Sequence, residues 1–404
     1  MHEPPLRVLV VFGTRPEAIK MAPVVRALAR RGDLAKVTMC TTAQHREMLD
    51  QVLDLFGIRP EVDLDLMRPN QSPSEVAARV LAAMDPILAE VNPDWILVQG
   101  DTTTVMATAI AAHHRRVRVG HVEAGLRTYD RANPFPEEMN RVLVDHISDL
   151  HFAPTDQARR NLLREGIRAE QVAVTGNTGI DALLEMAGRP ASDAVRRLEE
   201  EWRGDMALPV GRIPRAEGGE PLSENGSTRK LIVVTAHRRE NHGEPLRRIC
   251  LALHDLAESR EDVYIVYLVH PNPNVWVPVH ELLSGLPRVK LIPPADYLTL
   301  IHLFKRSLMI LTDSGGIQEE APTLHVPVLV LRETTERPEA VALGAARVVG
   351  TERSRIVREA VRLLDDAGAR NAMTNVRNPY GDGGAAERIA DRLLLGTCQE
   401  FSSG

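Results

Sequence analysis

Twice along this chain, short apolar and β-branched runs alternate with segments of helical period, and that alternation commits it to parallel sheets layered with helices. In the first half the runs are Leu6–Phe12, Lys36–Thr41, Trp95–Gln99, Val117–His121, Leu150–Ala153 and Val172–Thr175. Between them Leu49, Val52, Leu53 and Phe56 keep a helical period before Gly57, and Val76, Val80, Met84 and Leu88 do so before Asn92-Pro93. From Gly188 to Thr228 the pattern gives way to charged, Pro- and Gly-bearing sequence in which Arg215–Gly226 reads as a flexible linker. The alternation resumes in Leu231–Thr235, Val263–Val269, Val289–Ile292, Leu308–Leu311, Val326–Leu331 and Arg347–Val349, with a helix over Leu246–Ser259. The expectation is α/β: two Rossmann-like, doubly wound parallel-sheet domains, residues 1–187 and 188–374. A last helical stretch, Ala385–Leu395, could pack on either.

A chain of 404 residues with 44% apolar content can bury a core in each domain. Net charge is −6 with both signs interspersed, so no nucleic-acid footprint and no basic membrane patch is expected. Cys40, Cys250 and Cys398 lie far apart without metal-ligand spacing, which fits reduced thiols in a cytoplasm. Met1–Leu6 leads almost directly into a strand with no secretory pattern, and no apolar run reaches the length of a membrane span.

Folds of this kind bind ligands outside the carboxyl ends of their strands, and the polar motifs fall there. Leu308–Leu311 runs into Thr312-Asp313-Ser314-Gly315-Gly316-Ile317-Gln318-Glu319-Glu320, a helix-opening turn whose glycines and free N–H groups suit a phosphate. Its plain alternative is an ordinary turn with a Ser N-cap. Gly13-Thr14-Arg15-Pro16-Glu17-Ala18-Ile19-Lys20 sets two cations near another helix start, with Pro16 at a first helical position and Pro23 expected to kink or restart the helix. Asp101 in Gly100-Asp101-Thr102-Thr103-Thr104, Glu123 in Val122-Glu123-Ala124-Gly125-Leu126-Arg127 and the acids of Pro136-Glu137-Glu138-Met139-Asn140-Arg141 supply carboxyl groups for proton transfer. Alternatively, Asp101 caps the next helix and Glu123 pairs with Arg127. Ala236-His237-Arg238-Arg239-Glu240-Asn241 and Thr334-Thr335-Glu336-Arg337-Pro338-Glu339 add a His and cations in the second domain, or else form salt-bridged surface loops. No dinucleotide fingerprint, P-loop or zinc signature is present, so cofactor-free, metal-free acid–base chemistry on a phosphate-bearing ligand is expected.

Taken together and in order, GTRPEAIKMAP, GDTTT, HVEAGLRT, PFPEEMNR, TAHRREN, DSGGIQEEAP, ETTERPEAV and NPYGDGGAAERI closely resemble the non-hydrolysing UDP-N-acetylglucosamine 2-epimerases, from about Leu6 to Leu395. The resemblance implies a GT-B type fold with a central cleft, and a C-terminal segment, 375–404, packed on the first domain. It implies a cytoplasmic homodimer that interconverts UDP-N-acetylglucosamine and UDP-N-acetylmannosamine for cell-envelope polysaccharides. The first-strand turn argues against hydrolysis. By motif, Asp101, Glu123, Glu137 and His237 fall at the family's catalytic positions, and Arg15, Lys20, Ser314, Gly315, Gly316 and Arg337 at or near the phosphates. Glu320 falls at the ribose, and Ala295 and Leu300 near the uracil. Gln99 and Ala236 replace a His and a Gly common in relatives. A second UDP-N-acetylglucosamine can activate such enzymes, and Gln44, His45 and His270 match that site. The expected chemistry is anti elimination of UDP to 2-acetamidoglucal and re-addition after reprotonation at carbon 2, because the hydrogen on carbon 2 has no neighbouring carbonyl to acidify it. A glycosyltransferase, a non-catalytic sugar-nucleotide sensor and an epimerase of another UDP-sugar are the rival readings.

Overall fold

The computed structural model describes residues 4–42, 46–68, 71–191, 193, 195–198, 200 and 230–402, with 46–48 described through their backbone alone. The expected linker Arg215–Gly226 and the allosteric candidates Gln44 and His45 lie outside the described residues. The chain divides into two compact units, Met1–Leu184 with Tyr380–Gly404, and Glu185–Pro379.

The first unit is built on seven strands: β1 Leu6–Phe12, β2 Ala35–Thr41, β3 Val62–Asp63, β4 Trp95–Gln99, β5 Arg118–Val122, β6 Leu150–Ala153 and β7 Val172–Val174. They run parallel in the order β3-β2-β1-β4-β5-β6-β7, with Val8 of β1 set between Val37 and Trp95. Leu9, Ile96, Val98 and Val119 on the sheet are buried against Val80, Met84 and Leu88 of the helix Pro73–Val91. β3 was not foreseen, since two residues carry no period.

The helix Arg15–Ala29 starts as its sequence demands: Thr14 accepts from the Glu17 N–H, Glu17 reaches back to Thr14, and Pro16 stands in the first turn. It continues through Pro23 rather than restarting there. Buried Ile19, Met21, Ala22, Val24 and Val25 pack it on both sides of the proline and offset the one lost backbone bond. The C-terminal helix Ala385–Leu395 belongs to the first unit. Asp181 accepts from the N–H groups of Ala385 and Ala386 at 3.3 and 2.8 Å, and Arg31 pairs with Asp391 at 2.6 Å.

The second unit has six parallel strands: β8 Lys230–Thr235, β9 Val263–Leu268, β10 Val289–Ile292, β11 Met309–Thr312, β12 Val328–Val330 and β13 Ala346–Val348. Their order is β10-β9-β8-β11-β12-β13. Its core sets Ile232, Val234, Ile265 and Leu311 against Leu246, Ile249 and Leu253 of the helix Glu244–Ser259. In each sheet the order reverses once, between β1 and β4 and between β8 and β11, which marks where a doubly wound sheet opens a ligand crevice. The motifs at Gly13, Gly100, Ala236 and Asp313 follow these four strands.

Leu97 is fully buried at the centre of the first sheet, while Leu163 is 38% exposed. Leu97→Ala is expected to cost about 2 to 5 kcal/mol in urea unfolding and Leu163→Ala under about 0.5 kcal/mol.

Candidate active site

In the first unit the carboxylates gather at the ends of β4 and β5. The chain leaves β5 through a bulge in which the N–H groups of Glu123 and Ala124 both donate to the Phe152 carbonyl at 3.1 Å. Glu123 is thereby held at φ +67°, a left-handed conformation unfavourable for a residue with a Cβ. Its side chain is nearly buried and surrounded by donors. Lys20 Nζ donates to both oxygens at 2.6 and 2.8 Å, Asn177 Nδ2 to one at 3.4 Å, and Gln99 Nε2 to the other. So Lys20, expected near the phosphates, is paired with a carboxylate here, and Glu123 does not pair with Arg127.

Asp101 follows Gly100 at the end of β4. Its carboxylate is 30% exposed and accepts from Arg141 Nη2, and its carbonyl accepts from Asn140 Nδ2 at 2.9 Å. Thr102, not Asp101, caps the helix Thr103–His114 by accepting from the Val105 N–H. The Asp101 carboxylate therefore pairs with Arg141 instead of capping the helix. Asn140 and Arg141 project from the helix Glu137–Ile147, whose first residue, Glu137, is half-buried. Glu138 is structural: its carboxylate accepts from the N–H groups of Thr128 and Tyr129 and pairs with Arg141 at 3.2 Å.

The same helix sends Asp145 beneath these loops. Asp145 is fully buried; Oδ1 meets His121 Nδ1 at 2.6 Å, and Oδ2 accepts from Gly125 N at 3.2 Å and Arg127 at 2.8 Å. Nε2 of His121 donates to the Gly100 carbonyl at 2.8 Å, so one carboxylate ties the turn before Asp101 to the turn after Glu123. Burial alone would raise the Asp145 carboxyl, but His121, Arg127 and His151 outweigh it and hold it below the usual carboxylate range. Gly125, at φ +84°, leaves no room for a Cβ against the Ala158 carbonyl and Leu162. Arg15, the first residue of the helix after β1, is half-buried.

In the second unit the turns after β8 and β11 are tied by Asp313, which accepts from the N–H groups of His237 and Arg238 at 2.8 Å and from Asn241 Nδ2 at 2.9 Å. Ser314 stands at the N-cap of the helix Gly315–Glu320 without capping it, which leaves its hydroxyl to other partners. A Cβ on Gly315 would lie 3.7 Å from the guanidinium groups of both Arg238 and Arg337, so two cations lie over this helix start. Arg337 is steadied by Glu319, and Arg332 by Glu240 and Glu336. His237 is 41% exposed and stacks on His270, centroids 5.3 Å apart. Burial of the ring holds His237 below its ordinary value, with Asp313 pulling the other way. Glu320, at the far end of the short helix, accepts from Tyr297 Oη at 3.0 Å. Ala295 and Leu300, both half-buried, flank Asp296-Tyr297, where Asp296 caps the helix Tyr297–Arg306.

The structure thus brings Asp101, Glu123 and Lys20 into one set of strand-end turns, and His237, His270, Ser314, Gly315, Gly316 and Arg337 into another. Sequence reasoning passed over Asn177, Asp145, His121 and Asp313. Asn177 sits in the polar turn after β7, the same signal that pointed to Asp101, and could have been found by it. Among the described residues no group of His, Cys, Asp or Glu could hold a metal ion, and no helix is long and apolar enough to cross a membrane.

Known proteins resemble this chain throughout. The family model for UDP-N-acetylglucosamine 2-epimerase matches residues 26–394. The UDP-N-acetylglucosamine 2-epimerase of Escherichia coli K12 is 50% identical over 388 residues, 96% of this chain and 98% of that protein. The crystal structure of the Neisseria meningitidis UDP-GlcNAc 2-epimerase bound to UDP-GlcNAc superposes with TM-score 0.83 at 45% identity, covering 96% of this chain and 100% of that one. A Methanocaldococcus jannaschii UDP-GlcNAc 2-epimerase in complex with UDP-GlcNAc and UDP gives TM-score 0.77 at 33% identity, covering 97% and 100%. The paired doubly wound sheets are of the GT-B type.

Asp145 gives the first unit a test of its own. Its folded carboxyl lies below its unfolded value, so its contribution is present above about pH 4 and is lost as the pH falls further. Asp145→Asn is expected to lower stability at pH 7 by about 3 to 5 kcal/mol and to flatten the loss of stability below about pH 4, read from urea midpoints.

Proposed function

The chain belongs to the UDP-N-acetylglucosamine 2-epimerase family, whose members are isomerases, and we propose that it inverts carbon 2 of UDP-N-acetylglucosamine by eliminating and re-adding UDP. The observation that carries the reading is the division of chemistry between the strand-end turns. One set offers carboxylates, Asp101 and Glu123 with Glu137 on the adjoining helix. The other offers a glycine-rich helix start under Arg238 and Arg337.

That division suits the reaction. A carboxylate cannot remove the unactivated hydrogen of carbon 2 until the bond from carbon 1 to oxygen has begun to break. Cations and free N–H groups around Gly315 stabilise the charge that collects on the departing diphosphate. As carbon 1 becomes cation-like, the hydrogen of carbon 2 turns acidic, and a carboxylate takes it to give 2-acetamidoglucal. Return of a proton to the other face of carbon 2 and of UDP to carbon 1 completes the epimerisation, with no net proton consumed. Asp101, Glu123 and Glu137 share proton removal, proton return and stabilisation of the cation-like carbon, while Lys20, Gln99 and Asn177 hold Glu123 for the work. Arg15, Ser314, Gly316 and Arg337 complete the phosphate seat, Glu320 takes the ribose, and Ala295 and Leu300 lie by the uracil. We further propose that the product serves cell-envelope polysaccharides, that the enzyme is a cytoplasmic homodimer, and that a second substrate molecule bound through Gln44, His45 and His270 activates it.

A proton NMR time course in heavy water, with UDP-N-acetylglucosamine and no added metal or nicotinamide, tests the reaction. Formation of UDP-N-acetylmannosamine with deuterium at carbon 2 of both epimers is expected; an epimer formed without deuterium, or no epimer, contradicts it. Asp101→Asn, Glu123→Gln and Glu137→Gln should each lower kcat by about 10² to 10⁴ while UDP affinity holds. Turnover within a few fold of the parent enzyme would remove that residue from the chemistry.

A further inference from the structure

Asp313 uses its two oxygens unequally. It is fully buried, and Oδ2 takes three donors, the N–H groups of His237 and Arg238 and the Asn241 amide. Oδ1 takes none, although it is buried, and it lies 3.8 Å from Nδ1 of His237. A buried carboxylate oxygen without a donor is costly enough to require a reason. The gap is too long for a hydrogen bond, and a ring movement of about 1 Å closes it. Of the two groups His237 is the one able to move. Its ring is 41% exposed on a loop, whereas Asp313 is fixed by its three bonds.

We propose that Asp313 is a positioning residue for His237: with substrate bound, His237 donates Nδ1–H to Oδ1 of Asp313, and its second proton, on Nε2, faces the departing diphosphate. The assignment rests on the reading of His237 as catalytic in UDP elimination. The protein groups facing His237 are on balance set against that imidazolium. Burial lowers its proton affinity, Asp313 raises it, and His270, Arg238 and His242 lower it again. A diphosphate adds negative charge to the side of Asp313 and tips the ring to its charged form. The proton enters from solvent on binding and leaves on release, so turnover remains proton-neutral. His237 is charged when diphosphate is present, and a catalytic hydrogen bond of this kind commonly tightens only in the substrate complex.

Asp313→Asn isolates the role. Three donors converge where Oδ2 lies, so the amide oxygen must take that place, which turns the NH2 group toward Nδ1 of His237 and reverses the hydrogen bond. The primary readout is the nitrogen-15 spectrum of histidine-labelled protein saturated with UDP, the His237 signals being those missing from His237→Asn. Nδ1 is expected to be protonated in the parent protein and unprotonated in Asp313→Asn. In turnover, Asp313→Asn should lower kcat by about 10²-fold, with KM changed less than about threefold. The double variant with His237→Asn should be no slower than His237→Asn alone. An unprotonated Nδ1 in the UDP-bound parent, a ring that UDP leaves unchanged, or effects that multiply in the double variant would overturn the assignment. Failure of the epimerase reading would look different: the parent protein would bind UDP and protonate His237 yet form no epimer.

Discussion

A carboxylate taken out of water must be surrounded by donors, and this requirement shapes both units. In the first, Asp145 gathers His121, Arg127 and the Gly125 N–H; in the second, Asp313 gathers the N–H groups of His237 and Arg238 with Asn241. Parallel strands end in turns whose backbone groups the sheet does not satisfy. A buried carboxylate placed among those turns satisfies several at once and fixes them against one another. Of the proposed functional side chains, Glu123 and His237 stand at or within two residues of groups held in this way, and Asp101 follows Gly100, whose carbonyl accepts from His121.

On the proposed roles, the same requirement is met differently by the structural carboxylates and by those assigned to the reaction. Glu138 and Asp145 are buried with their oxygens occupied by backbone N–H groups and cations. Asp101 keeps a partly exposed carboxylate, and Glu123 is aimed by a strained backbone and held by side chains. Strain at Glu123 is offset by donors from three other elements: Lys20 on the first helix, Gln99 at the end of β4 and Asn177 after β7. Removing any one donor leaves a nearly buried carboxylate short of a partner, so the turn after β5 depends on contacts distant in sequence.

Much of this was legible in the sequence because the physics behind it is local. Apolar runs such as Trp95–Gln99 and Val289–Ile292 became strands of those bounds, and Pro16 stands in the first turn of the helix that opens at Arg15. What stayed hidden depends on partners far along the chain. The pairing of Lys20 with Glu123 cannot be read until the first helix is placed beside the end of β5, and Asp313 reads as one letter of a phosphate motif until β8 is placed beside β11. At Pro23 the restart that local chemistry allows does not occur, because packing on both sides of it keeps the helix continuous. Asp145 was the nearest miss. It falls eight residues after Glu137 and four after Arg141 on one helix, a spacing that puts all three on one face.

The central claim is that the bond between carbon 1 and the diphosphate oxygen breaks and re-forms in every productive cycle. Positional isotope exchange tests it most directly, with UDP-N-acetylglucosamine carrying oxygen-18 in the bridge between carbon 1 and the β-phosphorus. Freed UDP can rotate its terminal phosphate before it returns, so phosphorus-31 spectra of recovered substrate should show oxygen-18 moving from the bridge to the non-bridging positions during epimerisation. Epimer forming while all the oxygen-18 stays in the bridge would contradict the account, because inversion would then proceed with the glycosidic bond intact.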